Sequence, residues 1–255
     1  MRARLVGGML LGILVATAMV GCSTGKPGNR PETLRPDQQH DFFVLYKQNC
    51  SACHGDNGLN GAAIPLHNPV LLDWLGSDRI HQAIQYGVPH TLMPGFGYAG
   101  GGLLTGQQVD DIAGGMMKHW SQPSALQGAN APSYTASGKG DPQQGHADFV
   151  MYCSRCHGSG GQGIEPGNSQ RSRIAVAQSG KVVGSIVDPT YLALISTQGL
   201  RDIIVAGLAH EKMPDWRDDV QGKPLTDKEV TDIVAWLDSH RVQYPGQPFS
   251  SAHVH

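Results

Sequence analysis

The chain has 255 residues, of which 34 are glycine and 16 proline, and only 16% are charged. Its formal net charge of −2 argues against nucleic acid as a partner, since nucleic-acid-binding proteins hold phosphate with basic surfaces. A chain so rich in turn-forming residues builds much of its mass from loops, which need a large apolar group to pack against.

The first predicted element is a targeting segment. Two arginines precede an apolar, uncharged run from Leu5 to Val20, which is followed by Gly21 and Cys22. The run is shorter than the ~20 apolar residues of a bilayer-spanning helix. It resembles a bacterial lipoprotein signal peptide over residues 1–21 that leaves Cys22 acylated, and the alternative is an uncleaved signal anchor. Either one places the rest of the chain outside the cytoplasm, tethered to a membrane by a flexible segment over residues 22–37.

Four of the five cysteines form a repeated pattern further along the chain. The two copies are Cys50-Ser51-Ala52-Cys53-His54-Gly55 and Cys153-Ser154-Arg155-Cys156-His157-Gly158. C-x-x-C-H is the attachment signature of covalently bound haem. Two thiols three positions apart on a helical turn can each add to a vinyl group on one edge of the porphyrin, and the adjacent histidine can ligate the iron. The sequence therefore predicts two covalently bound haem c groups.

Three other chemistries are compatible with a C-x-x-C pair. A redox dithiol of the thioredoxin type would be accompanied by a βαβ pattern, which this sequence lacks. Zinc explains neither the His-Gly after each pair nor the methionines downstream. A disulfide with two residues between its partners closes a strained loop. Haem attachment accounts for the repeated pattern best.

A second pattern, G-x-x-H-x-x-M-P-x-aromatic, also occurs twice, over residues 87–96 and 207–216. Each copy precedes a Leu-Thr pair that opens an apolar stripe at helical spacing, with Thr105 or Thr226 as the expected N-cap. Short amphipathic runs lead into the cysteines from Phe42 to Gln48 and from Ala147 to Tyr152. The chain therefore contains an internal duplication.

With these motifs each half resembles a class I cytochrome c domain, and the whole is similar to dihaem cytochromes built from tandem domains. The resemblance implies a mainly α, loop-rich fold in which the terminal helices of each domain cross. We expect cytochrome c domain 1 over residues 38–122, a linker over 123–139, domain 2 over 140–244 and a disordered tail over 245–255.

The resemblance also implies the ligands of each iron. The expected pairs are His54 with Met93 and His157 with Met213. A thioether sulfur is a weak, soft ligand that favours ferrous iron and raises the reduction potential. His90 and His210, each three residues before its methionine, are the alternative sixth ligands, and the repeated Met-Pro pattern favours methionine.

The two halves differ in length and in charge. Additional residues in the second half, centred on Arg171 to Val187, contain two apolar runs around a glycine and predict a small β-hairpin. The first half has no Asp, Glu, Lys or Arg from Ile80 to Val109, whereas the matching loop of the second half is charged. An uncharged rim suits close docking on a fixed membrane partner, and a charged rim suits salt-sensitive encounters with a diffusible one. The alternative is that the uncharged loop packs on its own haem.

The resemblance implies electron transfer and no catalytic residues, since each half supplies its own Met-Pro ligand and closes its iron. The expected role is an anchored carrier or a subunit of a bc-type complex or terminal oxidase. The expected partners are those complexes, a small soluble cytochrome or cupredoxin, and the membrane through the lipid anchor, but no nucleic acid. The alternatives are a dihaem enzyme, of peroxidase or thiosulfate dehydrogenase type, and a haem-based sensor.

Overall fold

The computed structural model describes residues 34–164, 183–217 and 222–242. The predicted signal peptide, the lipidation site Cys22 and the predicted tail over residues 245–255 lie outside these ranges. The chain divides into two units, Met1–Gln38 and Gln39–His255. The described part of the first unit contains one 3₁₀ turn, Pro36–Gln38. All the helices described below belong to the second unit.

The second unit is helical and loop-rich, which confirms the mainly α prediction. Its α-helices are α1 (Phe42–Asn49), α2 (Ser51–His54), α3 (Pro69–Tyr86), α4 (Gly106–Trp120), α5 (Pro142–Tyr152), α6 (Ser154–His157), α7 (Pro189–Leu194), α8 (Thr197–Ala206) and α9 (Asp227–Asp238). Short 3₁₀ turns occupy Tyr98–Gly100 and Ala209–Glu211. Within residues 34–164, 183–217 and 222–242, no helix is long and apolar enough to cross a bilayer.

The small β-hairpin predicted for the second half finds no support. Most of it falls on residues 165–182, outside the described ranges. The described residues contain only isolated β-bridges and no strand. Where the chain is described again, the main-chain oxygen of Val183 accepts a hydrogen bond from the amide of Ile164, at 3.1 Å.

Capping residues set the starts of the long helices. Thr105 and Thr226 each form a capping box with the residue three positions on, as predicted for α4 and α9. Helix α5 begins at Pro142, five residues before the predicted run, because the side chain of Asp141 caps it and proline fits the first helical turn.

Two hydrophobic clusters hold these helices together. The first lies between α1, α3 and α4, where the rings of Tyr46 and Trp120 meet edge to face at 4.9 Å. The second lies between α5, α8 and α9, where Phe149 and Trp236 are 4.3 Å apart. In each cluster, the helix that leads into the cysteines packs on the helix that follows the Met-Pro segment. Each cluster therefore brings together two helices of the same half that are far apart in the sequence.

The duplication extends further upstream than the repeated glycine-histidine pattern. Helix α3 begins at Asn68-Pro69 and is interrupted at Gly76, where φ is 68° and ψ is 164°. In the second half, α7 begins at the equivalent Asp188-Pro189, and a break at Ile195 separates it from α8. Helix α3 is therefore the counterpart of α7 and α8 together.

The segment predicted as a linker, residues 123–139, is fixed along its length by side chains. The indole of Trp74 donates to the carbonyl of Pro132 at 2.8 Å, and the guanidinium of Arg201 donates to the carbonyl of Ser133 at 2.8 Å. Asp227 accepts from the amide of Ser133 at 3.0 Å. The segment is therefore part of the folded structure and contacts both halves.

Candidate haem sites

The two C-x-x-C-H segments fold into the same single turn of helix. In the first, the amides of Cys53 and His54 donate to the carbonyl of Cys50 at 3.2 and 3.0 Å. In the second, the corresponding distances to the carbonyl of Cys153 are 3.1 and 3.0 Å. None of the four cysteines of these two segments forms a disulfide. Both pairs are therefore presented on the helical turn that attachment to one porphyrin edge requires.

The thiol of Cys50 is poorly suited to thiolate redox chemistry. Burial, together with the neighbouring Cys53, raises its pKa to about 12. Reactive cysteines of dithiol oxidoreductases have lowered pKa values. The described residues also contain no cluster of three His, Cys, Asp or Glu side chains that could bind a bare metal ion. The raised pKa of Cys50 weighs against the dithiol alternative.

The ring of His54 is oriented by a main-chain carbonyl. It is 8% exposed, and its Nδ1 lies 2.8 Å from the oxygen of Ile64. Because a carbonyl only accepts, Nδ1 carries the proton and Nε2 presents a lone pair. Burial lowers the pKa of His54, so the ring is neutral. A neutral imidazole with one nitrogen hydrogen-bonded and the other free is the form that ligates iron.

The ring of His157 lies in a similar environment but without this contact. Its Nδ1 is buried and has no hydrogen-bond partner among the described residues. Burial lowers its pKa, so this imidazole is also neutral. The ring packs near Phe149, with centroids 6.4 Å apart. Both predicted histidine ligands are thus neutral imidazoles, and His157 lies beside Phe149 of the second cluster.

The two Met-Pro segments are each anchored to the end of a helix by one glycine. Gly87 follows α3 with φ of 76°, and Gly207 follows α8 with φ of 65°. A Cβ on Gly87 would lie 2.6 Å from the carbonyl carbon of Pro94, and one on Gly207 would lie 2.6 Å from that of Pro214. Only glycine permits both the left-handed φ and this close approach.

Main-chain pairing holds the methionines beside these glycines. The amide of Val88 donates to the carbonyl of Met93 at 3.1 Å, and that of Leu208 donates to the carbonyl of Met213 at 3.0 Å. Both methionines are half-buried. The aromatic residue three positions later packs on a cluster in each half, Phe96 on the first and Trp216 within the second.

Cys50 and Cys153 pack against the same clusters as these aromatic residues. Each attachment turn and its own Met-Pro segment therefore share one hydrophobic cluster.

The alternative sixth ligands lie on the surface of these loops. His90 and His210 are exposed, and His90 adopts a left-handed φ of 61°. His210 Nε2 lies 3.8 Å from a carboxylate oxygen of Glu211. The exposure of His90 contrasts with the half-buried Met93 and favours methionine in the first half. In the second half the side chain of His210 is 22% exposed, so its burial is similar to that of Met213.

The residues present fit a covalently attached haem. Each half supplies two thiols outside any disulfide for attachment to the porphyrin. It also supplies a neutral imidazole and a thioether on a fixed loop, which are ligand types of c-type haem iron. The sequence could not predict the carbonyl of Ile64 as the group that orients His54, because a main-chain carbonyl is present at every residue.

Known proteins resemble this chain in sequence. It matches the family model described as "Cytochrome C oxidase, cbb3-type, subunit III" over residues 37–114 and 140–237. The "Cbb3-type cytochrome c oxidase subunit FixP" of Sinorhizobium medicae is 29% identical over 148 residues, which are 52% of this chain and 45% of that protein. The chain thus spans about half the length of this curated relative.

A solved structure also resembles this fold. The Kuenenia stuttgartiensis reducing HAO-like protein complex Kustc0457/Kustc0458 aligns with 83% of this chain and 99% of its own, with 18% identity and a TM-score of 0.43.

Proposed function

Because the chain belongs to the family of cbb3-type cytochrome c oxidase subunit III, a family of c-type cytochromes with covalently bound haem, we propose that it is a dihaem cytochrome. It transfers electrons in a membrane-associated respiratory chain, as an anchored carrier or as a subunit of an oxidase or bc-type complex. The observation that carries the proposal is the duplicated site. Two C-x-x-C-H turns of equal geometry each share a hydrophobic cluster with a glycine-anchored Met-Pro loop.

In this proposal the chain binds one haem in each of two domains, over residues 38–122 and 140–244. Cys50 and Cys53 form the thioether bonds to the first haem, and Cys153 and Cys156 form those to the second. The proposed axial pairs are His54 with Met93 and His157 with Met213. The separate hydrophobic clusters of the two halves support one site in each half.

When bound, the haem supplies one-electron redox chemistry, and the chain supplies position, burial and ligation. His54 keeps its proton at Nδ1, on the carbonyl of Ile64, and offers Nε2 to the iron. Met93 and Met213 would add a thioether ligand in each half. An iron with no ligand position left open would transfer electrons without binding substrate, which favours a carrier over a peroxidase.

A lipid on Cys22 would hold the protein at the outer side of a membrane. The apolar run before Gly21-Cys22 supports this anchor. One acyl chain anchors only weakly, so the several chains of a bacterial lipoprotein are needed for retention.

The surface of the first Met-Pro loop supports a fixed partner for the first site. Leu92 and Leu103 are 87% and 86% exposed, and Tyr98 is 63% exposed, all within the uncharged stretch from Ile80 to Val109. Large exposed apolar side chains without charges are typical of surfaces that become buried in a complex. The relative named as an oxidase subunit makes a terminal oxidase the favoured fixed partner.

The proposal is tested by removing one attachment site at a time. With haem-maturation machinery present, the double substitution Cys50→Ser and Cys53→Ser should leave one haem per chain, and so should Cys153→Ser with Cys156→Ser. The substitution Met151→Leu, at an exposed methionine outside the Met-Pro loops, is the control and should retain both. A wild-type chain that carries no haem, or one that turns over peroxide without partners, would contradict the proposal.

A further inference from the structure

One buried asparagine joins the two halves of the molecule. Asn68 is 7% exposed and precedes α3. Its Oδ1 accepts from the amides of Val70 and Leu71 at 3.0 and 3.2 Å, which caps the helix. Its Nδ2 donates to the carbonyls of Ala206 and Gly207 in the second half, at 3.2 and 3.0 Å. The two amides on one side and the two carbonyls on the other fix the orientation of the side chain.

The two ends of this bridge belong to different candidate haem sites. Four residues before Asn68 in the chain is Ile64, whose carbonyl holds the ring of His54. On the other side, Gly207 is the residue on which the second Met-Pro loop is anchored. The next residue, Leu208, pairs with Met213 in both directions, at 3.0 and 3.1 Å.

The surrounding residues bring the same two loops together. Ile64 and Pro65 from the first half and Gly207 and Leu208 from the second line one small cavity, together with Asn68 itself. The histidine side of the first site therefore lies against the methionine side of the second.

We propose that Asn68 is a positioning residue that couples the two haem sites, because it holds the loop that orients His54 against the loop that carries Met213. This inference rests on the proposed dihaem function. Movement of either loop changes the hydrogen bonds available to the other, so the ligation and potential of the second site depend on the first half.

Comparison with the second half separates the two roles of the Asn68 side chain, which are to cap α3 and to donate to the second half. Asp188 occupies the equivalent position and caps α7 by accepting from the amides of Thr190 and Tyr191, at 2.8 and 3.2 Å. Capping needs only an acceptor, which aspartate, asparagine and serine all provide. Bonding to two carbonyls needs the amide donor, which Asn68 has and a carboxylate lacks.

The test replaces Asn68 by serine in the full haem-loaded chain. Asn68→Ser keeps a helix cap but removes the donor that reaches Ala206 and Gly207. Asp188→Ser makes the same change of cap in the second half and is the matched control. Haem content, amide hydrogen exchange, the near-red ferric absorption of methionine-ligated haem and the two reduction potentials are measured for all three proteins.

Loss of two buried hydrogen bonds should raise the exchange rates of the Leu208 and Met213 amides about tenfold in Asn68→Ser. The amide of Val88, which pairs with Met93 in the first half, should exchange as in wild type. The near-red absorption of the second site should weaken, and its reduction potential should fall. Asp188→Ser should retain all of these properties.

The outcomes separate this inference from the proposed function. Two haems with unchanged exchange at Leu208 and Met213 in Asn68→Ser would overturn the coupling and leave the dihaem function intact. Fewer than two haems in wild type would overturn the function. If Asn68→Ser does not fold, the side-chain amide protons of wild-type Asn68 should exchange slowly, and rapid exchange would overturn the bridge.

Discussion

The Nδ1 atom of His54 lies 2.8 Å from the main-chain oxygen of Ile64. This contact fixes the ring tautomer and strengthens the donor character of Nε2. The segment between this histidine and α3 therefore has two functions. It supplies the acceptor for the imidazole, and it leads into Asn68, which contacts the second half.

The anchoring glycines give the first prediction. Gly87→Ala or Gly207→Ala should displace the adjacent Met-Pro loop, because the added Cβ would lie 2.6 Å from proline carbonyl carbon. We expect each variant to lose the near-red ferric absorption of its own site and about 1–3 kcal/mol of stability.

Gly101→Ala is the matched control for these variants. Gly101 has a φ of 86°, but a Cβ there would have no atom within 4 Å. It should lose stability through backbone strain and keep methionine ligation. Retention of near-red absorption in Gly87→Ala would contradict the assigned role of this glycine.

The second prediction concerns pH and a buried carboxyl group between the halves. Asp202 is 8% exposed, and burial raises its pKa from 3.8 to about 6. Between these values the unfolded chain loses the proton while the folded chain keeps it, so the free energy of unfolding falls as the pH rises. The fall amounts to about 3 kcal/mol, and it is complete above the folded pKa.

Asp202→Asn should remove this pH dependence while keeping the hydrogen bond from Gln198, which is 2.8 Å long in wild type. Urea unfolding of both proteins from pH 4 to pH 7 measures the difference. The stability of the variant relative to wild type should increase across this range, and a constant difference would show that Asp202 has an ordinary pKa.

The third prediction concerns the linker. Arg201, which is 2% exposed, pairs with Asp227 and also donates to the carbonyl of Ser133. Arg201→Ala leaves a partly buried carboxylate and a main-chain carbonyl without this donor, so it should cost about 3 kcal/mol. Limited proteolysis should then cut near Ser133 faster than in wild type. Arg35→Ala, at an exposed arginine, is the control and should change neither property.

The fourth prediction tests the apolar surface around the first Met-Pro loop. Leu92→Lys and Leu103→Lys should change stability by less than about 0.5 kcal/mol, since both side chains are exposed. They should slow electron transfer to native membranes, because a lysine would be buried at the contact. Leu194→Lys places the same charge on the second half, where Leu194 is 70% exposed, and should have no effect. Equal rates in all three variants would argue against docking at this surface.

Local features could be predicted from the sequence. The threonine caps of α4 and α9 follow from patterns within a few residues of one another. The mainly α fold and the cytochrome c family follow from the resemblance that the repeated motifs carry. Haem attachment and helix capping both depend on residue types at a fixed spacing, so both can be predicted from the sequence alone.

Tertiary contacts could not be predicted in this way. The carbonyl acceptor at Ile64 has no residue preference, and the capping role of Asn68 conceals its second role as a donor. The linker lacks periodicity because its order comes from side chains elsewhere, such as Trp74 and Arg201. The predicted ligand pairs and domain boundaries remain predictions for experiment.

The intact mass of the full chain, made with haem-maturation machinery, tests whether two haems are attached. We expect a mass that exceeds polypeptide and lipid by two haems, with one haem on the peptide that contains Cys50 and Cys53 and the other on the peptide that contains Cys153 and Cys156. A chain with no added haem, or with haem at only one of these peptides, would contradict this expectation.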